Sequence, residues 1–378
     1  MIHRTLGGLG FLVLSTEARI MHRRKLFWLC TLALVASVTA CSSSSTPGSS
    51  NTASGHGNAA GAATLTFSKN GTPDLKGMTI RIGNAAGSAH IGDTNVHDLV
   101  QFLTQWGATA TQQNASQNAP ELAVDSGRLD VAVGPLPTEV DAGLTVFGPN
   151  QARLDDEILA KPTITSLAGL KGKTVAICCD ASPDGVLLSA ALKKAGLSQS
   201  QLHIIRTGAS SSSLNALLAG QVDAAFTAAS GLPPQAGKYR VLGTATNLVP
   251  AYADSFMAAK SSWLTSHPAA AEAVDLAWLA SAKLFNTNEA AWVKNAAVYT
   301  SNADSSAQYS QAWQQLKTLN GWPLSESTLT PSVISYNLQI AKQQNAIQGE
   351  GNRPASQEMD LTPWQRAWQQ FSQHEAAY

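Results

Sequence analysis

One stretch of this chain is written twice. Asp74-Leu75-Lys76-Gly77-Met78-Thr79-Ile80-Arg81-Ile82 is echoed by Gly169-Leu170-Lys171-Gly172-Lys173-Thr174-Val175-Ala176-Ile177, with Thr79 and Thr174 offset by 95 residues. A second pair follows in the same order: Gly127-Arg128-Leu129-Asp130-Val131-Ala132 and Gly220-Gln221-Val222-Asp223-Ala224-Ala225, offset by 93. Two echoes in one order at nearly equal offset argue for two similar lobes rather than chance. After each Lys-Gly an apolar run containing β-branched residues reads as a short buried strand.

Around the second copy the local chemistry is legible. The strand Thr174 to Ile177 stops at Asp180-Ala181-Ser182-Pro183-Asp184. Ser182 suits a helix N-cap, Pro183 the first helical position, and Asp184 the positive end of the helix dipole. Apolar Val186, Leu187, Ala190, Ala191 and Leu192 then mark one helical face, closed by Gly196. The first copy continues in the same way: a glycine-rich loop over 83–92, a helix from Thr94 or Asn95 to Gly107, a strand over 108–113, a short helix over 118–126 and a strand at 131–133. This β-α-β-α-β order predicts a parallel sheet with ligand loops at the strand C-termini. Residues 142–165 read as a first crossover between lobes and 251–260 as the return. Helices follow over 267–285, 288–298, 305–319, 332–345 and 363–374. Seven of the nine tryptophans fall after Lys260, and at helical spacing they read as packing rather than as an aromatic ligand site.

Bulk properties narrow the class. Twenty-five basic and 25 acidic residues cancel, which argues against a nucleic-acid partner or a polybasic membrane patch. At the N-terminus, His22-Arg23-Arg24-Lys25 precedes an apolar run from Leu26 to Ala36, too short for a comfortable membrane span. Met21 fits this leader better as a start than Met1 does. Residues 42–63 form a Gly/Ser/Ala-rich tether with nothing to bury. Beyond Cys41 the remaining cysteines, Cys178 and Cys179, are adjacent, which suits neither a staple nor a metal site. No metal or cofactor is expected.

Val38-Thr39-Ala40-Cys41 resembles the lipobox of bacterial lipoproteins, which implies cleavage before Cys41 and lipidation of its sulfur. With the two α/β lobes, SLAGLKGKTVAICC opening the second, ALLAGQVDAAF within it and the Trp-rich helices after it, the chain resembles the solute-binding proteins of ABC importers for nitrate, sulfonates, taurine and thiamine-pyrimidine precursors. The resemblance implies an α/β fold of the type 2 periplasmic-binding-protein kind: a two-lobed clamshell with two crossover segments and C-terminal helices. Its expected parts are a leader over 1–40, a tether over 41–63, a first lobe of 64–154 plus 258–378, and a second lobe of 155–257. It implies a monomeric, lipid-anchored receptor at the extracytoplasmic face of the membrane that hands a small organic solute to permease subunits. The ligand residues expected in the cleft loops are Ser88, His90, Gly134, Asp180, Ser182, Ser211 and Thr227. Asp130 and Asp223, at echoed positions, are expected to be structural. Because these loops hold no Lys or Arg while Asp180 and Asp184 sit in one of them, a zwitterionic or heteroaromatic solute fits better than nitrate. Two rival readings stay open. One is an enzyme of the pyrimidine-synthase branch of the superfamily, although Cys178-Cys179 falls short of that branch's longer cysteine run. The other is a ligand-sensing lipoprotein with no transport partner.

Overall fold

A computed structural model describes residues 64–85, 89–116, 119–180, 182–229, 237–347 and 353–378. The leader, Cys41, the tether and Ser88 lie outside the described residues. Two five-stranded sheets organise the rest. The first holds β1 (Thr79–Asn84), β2 (Thr109–Asn114), β3 (Val131–Gly134) and β4 (Thr145–Gln151), connected by α1 (Thr94–Gln105), α2 (Ala119–Asp125) and α3 (Leu136–Asp141). The chain then enters the second sheet: β5 (Asp156–Ala160), β6 (Thr174–Ile177), α4 (Pro183–Ala195), β7 (His203–Arg206), α5 (Ser210–Leu218), β8 (Ala224–Ala228), β9 (Arg240–Thr244) and α6 (Ala245–Leu248). It returns through β10 (Ser255–Ala259), and α7 (Ser261–Ser266), α8 (Pro268–Thr287), α9 (Glu289–Tyr299), α10 (Ser306–Leu319), α11 (Pro331–Gln343) and α12 (Thr362–Gln373) complete it.

The two sheets have one plan: β2-β1-β3-β10-β4 and β7-β6-β8-β5-β9. Three parallel strands form one side of each, as expected from the echo. The sheets are nevertheless mixed, because the fourth strand in each runs antiparallel to both its neighbours. That strand is the one carried by a crossing: β10 arrives from the second sheet's territory and β5 from the first's. The region read as a plain crossover over 142–165 therefore hides two strands, β4 and β5. In β4, Gly148-Pro149 imitates a turn. All seven of its residues are buried, and a Cβ on Gly148 would strike Asp275 and Met257, so the glycine is there for close approach.

The echoed aspartates do the same job in each lobe. Asp130 accepts the Arg81 backbone N–H at 2.8 Å and the Arg81 guanidinium at 3.0 and 2.7 Å. Asp223 accepts the Thr174 N–H at 3.0 Å and Lys161 Nζ at 2.8 Å. Each carboxylate stands just before a parallel strand, β3 or β8, and holds a residue of its neighbour, Arg81 within β1 or Thr174 at the start of β6, and in both lobes the bonded residues are 49 apart. This register sets Arg81, not Thr79, opposite Thr174, so the first lobe's strand begins two residues earlier than the sequence echo suggests.

The tryptophans pack, as read. Trp278, Trp292, Trp322 and Trp364 are buried. Phe285 is the hub of this cluster, its ring edge-on to Trp322 at 4.7 Å and Trp292 at 5.6 Å and tilted against Trp313 at 5.9 Å. Among the described residues no helix is long and apolar enough to cross a membrane.

Candidate functional site

The parallel strands end beside the starts of β5 and β10, where Asp156 pairs with Ala228 and Phe256 with Gly134, so their C-termini lie next to the two crossings, 152–155 and 249–254. Five aspartates from four parts of the chain meet there. Asp93 precedes α1, Asp155 and Asp156 lie on the outgoing crossing and the start of β5, Asp184 is in the first turn of α4, and Asp254 ends the return crossing. Each feels at least one of the others electrostatically. Asp156 and Asp184 are buried, whereas Asp93, Asp155 and Asp254 are half-buried. Among the described residues, no Lys or Arg forms an ion pair with Asp93, Asp156, Asp184 or Asp254.

Burial and mutual repulsion shift four of these acids upward. Burial raises Asp156 well above the usual carboxylate range, and the neighbouring charges of Asp184 and Asp155 raise it further. Burial also raises Asp184 and Asp93, the latter opposed by the nearby His90. Asp254 is pushed up to about 8, first by burial and then by Asp155. The Asp156 and Asp184 carboxyls are hydrogen-bonded to each other, which raises Asp156 and opposes the rise of Asp184, since like charges this close cannot both ionise cheaply. Asp184 also accepts the Cys178 N–H at 2.7 Å and lies 3.3 to 3.4 Å from the Ser210 hydroxyl. On the first-lobe side, Tyr299 Oη accepts Asn114 Nδ2 at 2.9 Å and Gln112 Nε2 at 3.1 Å, and its ring stacks on His97. A cavity of about 370 Å³ borders Asp155, Asp156 and Glu157 on one side and Gln315, Leu316 and Leu319 of α10 on the other.

The expected ligand residues scatter around this centre. His90 Nδ1 accepts the Gly92 N–H at 3.1 Å and lines a smaller cavity of about 120 Å³. Thr227 is buried on β8, opposite Glu157 in the register. The Gly134 N–H donates to Glu139 at 3.1 Å, and Ser211 is exposed in the first turn of α5. Ser182 occupies the N-cap of α4, but its hydroxyl donates to the Cys179 carbonyl at 2.7 Å instead of accepting from the helix. Asp180, expected to face the solute, is exposed and held bidentately by Arg206 at 2.7 and 2.8 Å. It borders a separate cavity of about 340 Å³. The acid that enters the centre is Asp184, read from sequence as a dipole partner and, with Asp180, as part of the loop's acidic character, but not as a ligand residue. Asp93, Asp155, Asp156 and Asp254 were not picked out at all, although Asp155-Asp156 in one crossing and Asp254 in the other carried a signal.

Beside Asp184, the Cys178 and Cys179 sulfurs are 3.2 Å apart and unbridged. A hydrogen bond from Cys178 brings the Cys179 thiol down to about 7, while the same contact raises Cys178. At pH 7.5 Cys179 should therefore alkylate with iodoacetamide several-fold faster than Cys178, read by peptide mapping. Equal rates would refute the assignment.

Comparison with known proteins places this geometry. Residues 157–288 match the family model described as NMT1/THI5 like. No curated protein sequence matches the chain. Among solved structures, the alkanesulfonate-binding protein SsuA from Xanthomonas axonopodis pv. citri, bound to MOPS, is similar at 19% identity and a TM-score of 0.59, covering 76% of this chain and 99% of its own. The periplasmic nitrate-binding protein NrtA from Synechocystis PCC 6803 has 11% identity and a TM-score of 0.61, covering 79% and 90%. The desulfurization enzyme DSZB, at 13% identity and 0.54, covers 79% and 99%, so an enzyme shares the fold with binding proteins. The chain thus has the two-lobed α/β fold of the periplasmic binding proteins, and its second lobe with the first long C-terminal helix carries the NMT1/THI5-like pattern.

Proposed function

We propose that this chain is an extracytoplasmic solute receptor of an ABC importer, anchored through Cys41, that closes its two lobes on a small organic solute and presents it to a membrane permease. One observation carries the reading: polar groups from both lobes and from both crossings converge on one centre. A ligand bound there touches parts of the protein that are otherwise joined through the crossings 152–155 and 249–254 and through Tyr336 and Ile340 of α11, which pack on the second lobe's core, so its contacts are complete only when the lobes are together. Binding must then shift the population toward closure. The leader and tether suit a receptor held outside the cytoplasm, and the sulfonate- and nitrate-binding proteins of the same fold make importer service the natural reading.

The test combines native mass spectrometry of the full chain with small-angle scattering. A small molecule should co-purify. Removing it by partial unfolding and refolding should increase the radius of gyration, and adding it back should restore the compact form. A bound molecule with no change in radius of gyration would sink the closure mechanism.

A further inference from the structure

We infer that the interlobe centre takes an organic cation, a small solute bearing an ammonium or amidinium group, and rejects sulfonate and nitrate. This rests on the receptor reading and assigns its substrate class. The acids alone would not carry it, because buried carboxyls also occur as structural features. Two further observations point to a ligand that donates hydrogen bonds and brings positive charge.

The first is Asn150. In the β4–β10 pairing, Ser255 faces Gln151 and Phe256 faces Pro149, so Asn150 is bulged out of the ladder. Bulges of this kind re-aim a side chain. The Asn150 carbonyl is fixed by Trp278 Nε1 at 3.0 Å. Its side-chain nitrogen donates to Ser255 Oγ at 2.9 Å, and Ser255 in turn donates to Asp254 at 3.1 Å. That chain leads to Asp254 of the acidic centre and leaves Asn150 Oδ1, on a residue only 7% exposed, with no donor among the described residues. A buried acceptor without a partner costs about 1–3 kcal/mol, and an N–H of a bound cation removes that cost.

The second observation concerns where an anion would have to sit. The N-terminus of a helix that follows a parallel strand, as α4 follows β6, offers N–H groups to a negative ligand. Here that first turn carries the protein's own Asp184, whose carboxyl accepts the Cys178 N–H just after β6 and faces the Ser210 hydroxyl at the start of α5. An incoming sulfonate would meet a carboxyl where it needs donors, with no guanidinium or ammonium group paired to that carboxyl among the described residues. A cation meets Asp156, Asp184 and Asp254 together, and the cavity of about 370 Å³ beside Asp155 and Asp156, with Leu316 and Leu319 on its far wall, has room for an apolar body behind the charged head.

The experiment holds the body constant and varies the head. The full chain, freed of co-purified material, is titrated at pH 8 with butylammonium, acetamidinium, 1-butanol, butanesulfonate and nitrate, and followed by thermal denaturation and calorimetry. Butylammonium and acetamidinium at millimolar concentration are expected to raise the melting temperature, while 1-butanol, butanesulfonate and nitrate leave it unchanged. The variants Asp184→Asn and Asp156→Asn should each weaken butylammonium binding by roughly 30-fold or more, while Asp125→Asn, an exposed acid paired with Lys260, leaves it unchanged. Stabilisation by butanesulfonate or nitrate, or no response to either cation, overturns the assignment. Scattering on the same samples separates the two proposals. Compaction with an anion keeps the receptor and discards the cation, whereas cation binding without compaction keeps the site and discards closure.

Discussion

Phe285→Ala is expected to cost about 3–5 kcal/mol of stability, the range for truncating a large buried aromatic. The ring is only 1% exposed and touches three tryptophans from α9, α10 and the loop beyond. Alanine at this position leaves a cavity whose walls are rigid indoles, fixed in part by the Trp313 Nε1 bond to the Phe285 carbonyl at 2.9 Å, so little collapse can offset the loss. Lys317 Nζ, 5.9 Å from the Phe285 and Trp313 ring centres, also loses one of its two rings. Urea denaturation followed by tryptophan fluorescence measures the effect. Val298→Ala, at a position 61% exposed, serves as the comparison and should change stability by less than about 0.5 kcal/mol. A Phe285→Ala loss near that of the control would show that the helical cluster is not a single packed unit.

The second large effect is a dependence of stability on pH. The Asp254 carboxyl is pushed up to about 8 by burial and by Asp155, far above an unfolded aspartate near 3.9. Below about pH 4 the group is protonated in both states and contributes nothing. As pH rises from about 4 to about 8 the unfolded chain gives up its proton while the folded chain keeps it, so stability falls, and above about 8 the penalty stays constant. Asp156, Asp184 and Asp93 are raised too and act in the same direction. The ligand-free protein should therefore be more stable at pH 5 than at pH 8. Asp254→Asn should remove part of that slope and be the more stable protein at pH 8, by an amount of the order of a few kcal/mol, reduced because Asp254 keeps some contact with solvent. Denaturation curves at the two pH values decide it. Stability of the wild type that rises from pH 5 to pH 8 would mean that the acids find countercharges in solution.

The lobes were readable from sequence because their signal is local and repeated. Thr174 to Ile177 and Thr79 to Ile82 each show a strand within a few residues, and Ser182, Pro183 and Gly196 punctuate the next helix at its observed limits. The site was not readable in the same way. Its acids span Asp93 to Asp254, each on a crossing or at or just before the first residues of an element, where an aspartate looks like ordinary cap or loop chemistry, and only tertiary structure brings them together. Asp180 misled for a related reason. It ends the strand where a ligand residue is expected, but Arg206, one strand over in the parallel register, reaches it first. β4 was lost because Gly148 and Pro149 carry turn statistics, while the bulged pairing with β10 that accommodates them involves residues more than a hundred positions away.

The exchanged fourth strands also set an order of assembly. Every strand of the second sheet lies between Asp156 and Thr244, so that sheet can close as soon as its own segment has emerged. The first sheet cannot. β4 has no neighbour in its sheet other than β10, so it must wait while about a hundred residues are made, some 5–20 s at ordinary elongation rates. During that interval the apolar edges of β3 and β4 are unpaired, the condition under which strands find wrong partners. The lobe that begins the chain is thus the last to finish, and factors that shield nascent strands should matter most while residues 145–255 are being completed.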